Sequence, residues 1–257
     1  PMHFQILDSY DQSRLIKLLI QDKKLDEAQW PVKAVQSFIN GKKEEGIRAK
    51  HVVPLPYGPS RIYASLYEAY EQRCKQAGFV DFSELLLKCC ELFRDKPELL
   101  QTYHQQFKAI LVDEFQDTNT IQYAWIRLLA VADTQVMVVG DDDQSIYGWR
   151  GAKVENIHQI EQDFPRVKLI RLEQNYRSTA TILKAANALI THNASRLGKE
   201  LWTTEEKGQK INLYAAFNEF DEARFVADRI DYLLLQGAKV SSIAILYRSN
   251  AQSRLLE

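Results

Sequence analysis

The sequence predicts an α/β fold led by a helical region, and three observations carry that prediction. Before about residue 107 the apolar residues recur at helical spacing, and six of the seven prolines fall there. After that point short apolar runs alternate with amphipathic stretches, the β-α-β-α-β order of a parallel sheet covered by helices. Two of the runs, Ala109-Ile110-Leu111-Val112 and Val136-Met137-Val138-Val139, are apolar at every position, as strands in the middle of such a sheet are.

The helical region opens at Ser9-x-x-Gln12, which has the form of a capping box, with Leu15, Leu18 and Leu19 following on one face. Asp26 to Ile39, Arg61 to Gln76, Asp81 to Phe93 and Pro97 to Phe107 read as further helices. Asp81-x-x-Glu84 is a second box-like start, and Pro97 suits a first helical turn. Val53-Pro54-Leu55-Pro56-Tyr57-Gly58-Pro59 is a loop, because three prolines this close remove donors and block a helix. Residues 1–107 therefore form a small helical domain of nearly balanced charge. Residues 108–172 hold the two strands above, helices over Ile121 to Ala130 and Val154 to Gln162, and a third strand, Val167 to Ile170. Residues 173–257 begin a second α/β unit: helix Ser178 to Ile190, strand Ile211 to Ala215, helix Glu219 to Leu235, strand Ile243 to Tyr247, and a helix starting at Gln252. Neither α/β unit is complete.

Composition excludes several classes. At 257 residues, 46% hydrophobic and 26% charged, the chain buries a core without staples. Lys+Arg 33 against Asp+Glu 34 leaves −1, so any attraction for nucleic acid must come from a local patch. Cys74, Cys89 and Cys90 are odd in number and lack C-x-x-C spacing, which argues against disulfides or a zinc site and for a reducing, cytoplasmic setting. The five histidines are scattered without metal-ligand spacing. No apolar run reaches the roughly 18 residues that span a bilayer. Pro1-Met2-His3-Phe4 is neither a signal peptide nor an initiator start, and the chain reads as an internal piece of something longer.

Three motifs carry chemistry. Ile110-Leu111-Val112-Asp113-Glu114 is an apolar strand ending in two acids, the shape of a Walker B site. Beyond the carboxyl end of such a strand, one carboxylate can hold Mg²⁺ and its neighbour can orient or deprotonate water. A strand merely leaving the core for a polar loop reads the same way. Asp117 or Thr118 would cap the helix that follows. The second motif is Gly140-Asp141-Asp142-Asp143-Gln144-Ser145-Ile146-Tyr147-Gly148-Trp149-Arg150-Gly151. Its acids are a solvated turn or, more sharply, a divalent-metal centre. Its Tyr147, Trp149 and Arg150, set between glycines, are a stacking platform for unpaired bases with a phosphate contact, unless Trp149 is core. The third, Leu172-Glu173-Gln174-Asn175-Tyr176-Arg177-Ser178, stands at the junction of the two units. It is a capped helix start, or an Arg delivered to a nucleotide. Lys42-Lys43 and Arg196/Lys199 are solvated faces or contacts to duplex phosphate.

In this order and spacing the three motifs closely resemble the superfamily-one DNA helicases of the UvrD/Rep/PcrA type, and Ala244-Ile245-Leu246-Tyr247-Arg248-Ser249-Asn250-Ala251-Gln252-Ser253-Arg254 matches a further segment of that family. The resemblance implies two incomplete RecA-like parallel-sheet domains, with residues 1–107 as a helical domain inserted into the first. It implies ATP and Mg²⁺ as cofactors, with Asp113 as the metal-coordinating acid and Glu114 as the catalytic base. Gln144 would sense the γ-phosphate, Tyr176 would stack on adenine, and Arg177 would reach the γ-phosphate. Tyr147, Trp149, Arg150, Arg248 and Asn250 would meet single-stranded DNA. The family translocates 3′ to 5′, unwinds single/double-strand junctions and serves DNA repair, where repair-protein partners are expected.

One departure matters. No G-x-x-x-x-G-K-[ST] occurs: Gly41-Lys42-Lys43 and Gly198-Lys199-Glu200 lack the Ser/Thr, and the positions where the first glycine belongs are Gln36 and Asn193. The phosphate-cradling half of the nucleotide site is therefore outside these 257 residues, and the isolated chain is expected to be inactive. Two other readings stand beside this one: the helicase part of a RecB- or AddA-like helicase–nuclease, and a DNA-binding or interaction module without catalysis of its own.

Overall fold

The computed structural model describes residues 4–53, 58–131, 133–164, 166–193 and 196–257; most of the expected proline-rich loop lies outside them. The chain forms two compact units, one of residues 1–171 with 193–198, the other of 172–192 with 199–257. Helices dominate, joined by two small parallel sheets.

The first unit begins with β1 (Gln5–Leu7) and α1 (Ser9–Asp22). Asp8 caps α1 by accepting from the Asp11 amide, one residue ahead of the expected Ser9 box. Gln12 is buried instead and donates to Asn40 Oδ1 at 2.7 Å. α2 spans Val32–Glu44, not Asp26–Ile39. The amides of Gln29 and Trp30 turn back onto Asp26 O, and Pro31 then stands at the helix start, where its missing N–H costs nothing. α3 (Ser60–Ala77), β2 (Phe79–Asp81), α4 (Phe82–Asp95) and α5 (Pro97–Gln106) follow. Asp81 Oδ1 caps α4 by accepting from the Glu84 amide at 2.8 Å. β1 and β2 pair in parallel, a feature the helical periodicity did not signal, because three-residue strands leave no alternation to read.

α1, α2 and α3 bury Ile16, Ile20, Val35, Ile39, Leu66 and Tyr70 completely or nearly so. Each such aliphatic side chain contributes about 1.5–3 kcal/mol of transfer free energy. Beside this apolar core lies an ionic one. Lys43, 1% exposed, places Nζ 2.6 Å from Asp81 Oδ2 and 2.8 Å from Glu84 Oε2. Arg48 bonds Glu84, Glu71 and Glu91 at 2.6–3.0 Å, and Tyr70 donates its hydroxyl to Asp81. Lys43 is therefore neither a solvated face nor a phosphate contact, while Lys42 pairs with Glu45 at 2.6 Å.

β3 (Ala109–Val112) and β4 (Gln135–Val138) pair in parallel, Ala109 opposite Gln135 and Val112 opposite Val138. α6 (Thr120–Leu129) connects them, and α7 (Glu155–Asp163) joins it around Phe115, Tyr123, Ile126 and Ile160. Asn119 and Gln122 cap α6 in a reciprocal box, not Asp117 or Thr118. Thr118 serves a different purpose, receiving the buried Asn156 amide. Leu87 and Cys90 of α4 meet Ile121 of α6, fastening the helical layer to the sheet. The sequence predicts cover on both faces of the strand pair, but these helices pack on one, and Leu111 is 75% exposed on the other.

In the second unit α8 (Ala180–Ile190), α9 (Glu219–Leu235) and α10 (Ser253–Leu256) form, with α10 packed on α9 and Asn218 capping α9 through the Asp221 amide. A single parallel bridge joins Gln174 and Trp202. Val167–Ile170, Ile211–Ala215 and Ile243–Tyr247, expected as strands, have no ladder partner among the described residues. Strand formation needs a neighbour to receive its backbone groups, and an apolar run alone does not supply one. All three cysteines are free. Among the described residues no helix is long and apolar enough to cross a membrane.

Candidate active site at the carboxyl end of the β3–β4 pair

Parallel strands deliver their carboxyl ends to one edge, and here that edge gathers two of the three motifs. The ladder continues past the strands: Val139 N donates to Val112 O at 2.8 Å and Phe115 N to Val139 O at 2.9 Å. The loops carrying Asp113-Glu114 and Asp141-Asp142-Asp143 therefore leave side by side.

Asp113 and Glu114 are exposed. Asp113 Oδ1 accepts from the Glu114 amide at 2.9 Å. Glu114 itself adopts φ 49 and ψ 43, the left-handed region, which costs a side-chain-bearing residue on the order of 1–3 kcal/mol. Held this way, its Oε2 accepts from Gln116 Nε2 at 2.6 Å. Gln116 is 1% exposed, and its Oε1 accepts from the Asp141 amide at 2.9 Å. Gly140 lets the second loop come this close: a Cβ there would lie 3.0 Å from Gln116 Oε1 and 3.3 Å from Phe115 Cβ.

The Asp141–Asp143 turn spends its carboxylates on hydrogen bonds. Asp141 accepts from the Asp143 amide at 3.0 Å and from Gln144 Nε2 at 2.7 Å. Asp143 takes a two-pronged bond from Arg196, at 2.9 and 2.6 Å, and Asp142 accepts from the Leu197 amide at 2.7 Å. One ligand atom from each lies within 4.8 Å of the others. These donors clasp the turn, so it is not a freely solvated one. Arg196 is correspondingly committed to Asp143, not to a solvated face or a duplex phosphate.

Beyond Gln144, which is exposed, the same loop displays Tyr147, Trp149 and Arg150. The Arg150 guanidinium lies 4.8 Å from the Tyr147 ring centre and 4.7 Å from that of Trp149. Trp149 is 73% exposed, so it is not core. The turn closes at Gly151, φ +85, where a side chain would run into the Glu44 carboxylate of α2. Burial raises the Glu44 carboxyl above its ordinary value, partly offset by the Ser83 hydroxyl that donates to it at 3.3 Å.

The remaining predicted residues belong to the second unit. Tyr176 is 76% exposed and Arg177 is exposed, with the Arg177 and Ser178 amides both donating to Asn175 Oδ1. That bond pattern makes an Asx turn at Asn175, ahead of α8. Arg248 and Asn250 are exposed around a turn boxed by Ser249 and Gln252. The structure thus brings Asp113, Glu114, Gln144, Tyr147, Trp149 and Arg150 together in the first unit and sets Tyr176, Arg177, Arg248 and Asn250 in the second.

Mg²⁺ requires hard oxygen donors. Asp113 and Glu114 offer two carboxylates at the strand end, which fits Mg²⁺ held by one or two carboxylates together with water or phosphate oxygens. Asp117 Oδ1, buried without a hydrogen-bond partner among the described residues, does not converge with both of them within 4.8 Å. The fit does not extend to nucleotide phosphates, since no stretch of the sequence has the Gly-rich loop with Lys that cradles them. Gln116 is the working part that sequence reading passed over, and Arg196, singled out there for a solvated face or a phosphate, clasps Asp143 instead. The signal for Gln116 was its place two residues after Glu114; Arg196 lies 53 residues from Asp143, and spacing gave no sign of that partner.

Acids at the end of a parallel strand pair, tied to a loop of aromatic residues and arginine, define a class of site, and whole-chain comparison supplies its family. The chain belongs to the UvrD/REP helicase family: residues 1–165 match the UvrD/REP helicase N-terminal domain and residues 170–257 the UvrD-like helicase C-terminal domain. It is 57% identical over 257 residues to DNA helicase II of Escherichia coli (strain K12), covering 100% of this chain and 36% of that one. DNA helicase II of Haemophilus influenzae is 54% identical, with 100% and 35% covered. ATP-dependent DNA helicase PcrA of Bacillus subtilis is 41% identical, with 99% and 35% covered. The chain spans about a third of the length of these relatives.

Proposed function

We propose that this chain is the middle part of an ATP-dependent DNA helicase that moves 3′ to 5′ along single-stranded DNA, unwinds junctions and acts in DNA repair in the cytoplasm. Residues 1–107 are read as a helical domain inserted into the first RecA-like domain, 108–172 as the rest of that domain, and 173–257 as the start of the second. The observation that carries the reading is the pairing of two strand-end loops, one bearing Asp113 and Glu114, the other bearing Gln144, the half-buried Tyr147 and the exposed Trp149 and Arg150.

Bound Mg²⁺ and ATP would supply charge neutralisation and the phosphoanhydride to be cleaved. Asp113 would hold the metal. Glu114, its carboxylate bonded by Gln116, would take a proton from water. Gln144, bonded to Asp141, would report the state of the nucleotide to the loop it shares with Trp149. Trp149 and Tyr147 would stack on bases while Arg150 meets phosphate. In the second unit, Tyr176 would stack on adenine and Arg177 would approach the γ-phosphate, and Arg248 and Asn250 would contact the strand.

The test is unwinding by the full-length protein of duplexes with a 3′ or a 5′ single-stranded tail. ATP-dependent opening of the 3′-tailed duplex is expected, and Trp149→Ala is expected to weaken single-strand affinity about 5- to 150-fold, matching roughly 1–3 kcal/mol of stacking per base. Its melting temperature should hold, because Trp149 is exposed. No unwinding of either duplex, or unchanged DNA affinity in the variant, would overturn the reading.

A further inference from the structure

Gln116 links the two loops of the site through one buried amide. Its Nε2 donates to Glu114 Oε2 at 2.6 Å and its Oε1 accepts from the Asp141 amide at 2.9 Å. The orientation is fixed by chemistry: a carboxylate only accepts and an amide N–H only donates, so a flipped Gln would oppose both partners. At 1% exposure no bulk water competes for either bond, and the close approach of Gly140 leaves the amide no other place. From Asp141 the path continues, since the same residue receives Gln144 Nε2 at 2.7 Å and the Asp143 amide at 3.0 Å. Glu114, held in a left-handed conformation, and Gln144, exposed on the next loop, are thus three hydrogen bonds apart.

We propose that Gln116 is a positioning residue that fixes the Glu114 carboxylate and couples its setting to the loop bearing Gln144 and Trp149. The proposal rests on Glu114 being the base and Gln144 the sensor. Displacing either end breaks or drags the single amide between them, so occupancy of the DNA platform and readiness of Glu114 are linked in both directions.

The experiment uses the full-length protein with Gln116→Met, which keeps the volume and loses both bonds, and Gln116→Asn, which keeps the amide on an arm too short to span both partners. Hydrogen exchange of the Asp141 amide, without nucleotide or DNA, should speed up about ten-fold or more in the Met variant. Its kcat for DNA-stimulated ATP hydrolysis should fall about ten-fold or more while KM stays within about threefold. Gln116→Asn should move both readouts in the same direction. A residue serving stability alone would lower the melting temperature and leave the kcat of the folded protein within about twofold of the parent. Unchanged Asp141 exchange or a DNA-stimulated kcat within about twofold of the parent overturns the proposal. Should Gln116→Met fail to fold, the same two readouts on Gln116→Asn decide. Glu114→Gln separates the two levels: if it keeps full turnover, the base assignment is wrong. If it is inactive while Gln116→Met turns over normally, only the coupling is wrong.

Discussion

Two clusters of acidic side chains lie in the first unit and obey opposite rules. In the helical layer Asp81 and Glu84 are buried and fully matched, by Lys43, Arg48 and the Tyr70 hydroxyl. At the end of the β3–β4 pair Asp113 and Glu114 are exposed and, among the described residues, meet no cation at ion-pair distance. Their hydrogen bonds come from one backbone amide and one side-chain amide. The first cluster has spent its charge on structure, and the second keeps it available. Acid-rich sequence does not separate them; the cations brought by other elements do.

The largest effect expected from this contrast is catalytic. Glu114→Gln in the full-length protein keeps size and hydrogen-bonding reach but cannot accept a proton from water. Turnover should fall about 10²- to 10⁴-fold, the usual share of a positioned base, with nucleotide affinity within a few-fold. Asp113→Asn should shift the Mg²⁺ dependence as well, read as the metal concentration for half-maximal rate. If Glu114→Gln turns over normally while Asp113→Asn is inactive, the base lies elsewhere and Glu114 only shapes the strand-end turn.

The converse experiment empties the closed cluster. Lys43→Met leaves Asp81 in the core without a cation while Glu84 keeps Arg48, and removing one partner of a buried pair typically costs about 3–5 kcal/mol. A large fall in melting temperature is expected. Adding Asp81→Asn should return part of it, because the stranded charge and not the lost lysine causes most of the damage. A strictly additive double variant would mean that the three groups do not act as one network.

What was legible in the sequence follows the same division. The helix faces, the β3 and β4 runs and the motifs at their ends could be read because each is a local pattern. β1 and β2 could not, being three residues each with paired residues 74 apart in the chain. The runs at 167–170, 211–215 and 243–247 were overread for the opposite reason: their composition suits a strand, but strand formation is a property of two segments. In the site, the strand-end carboxylates and the aromatic loop were visible as types and spacing. The burial of Gln116, its bond to an amide 25 residues away and the Arg196 clasp were not, since they depend on which loops the sheet lays side by side.

The smallest effect tests the closed cluster through pH. Burial would raise the Glu84 carboxyl, yet Lys43 and Arg48 outweigh it and hold the group below its ordinary value of 4.5. A carboxyl whose folded value lies below its unfolded one adds stability that is complete above the unfolded value and lost as the pH falls through the folded one. Melting temperatures of the chain and of Glu84→Gln, compared from about pH 7 to about pH 3, should therefore differ by a constant amount down to about pH 5 and converge below it. Asp81, Glu71 and Glu91, which share the same cations, are unchanged between the two proteins, so the comparison follows Glu84. Raising the ionic strength should leave the gap at neutral pH nearly unchanged, because a pair this buried is poorly screened. A gap that persists undiminished to about pH 3 would place the value of Glu84 in its packing, and the two acidic clusters would then differ in burial but not in how they use charge.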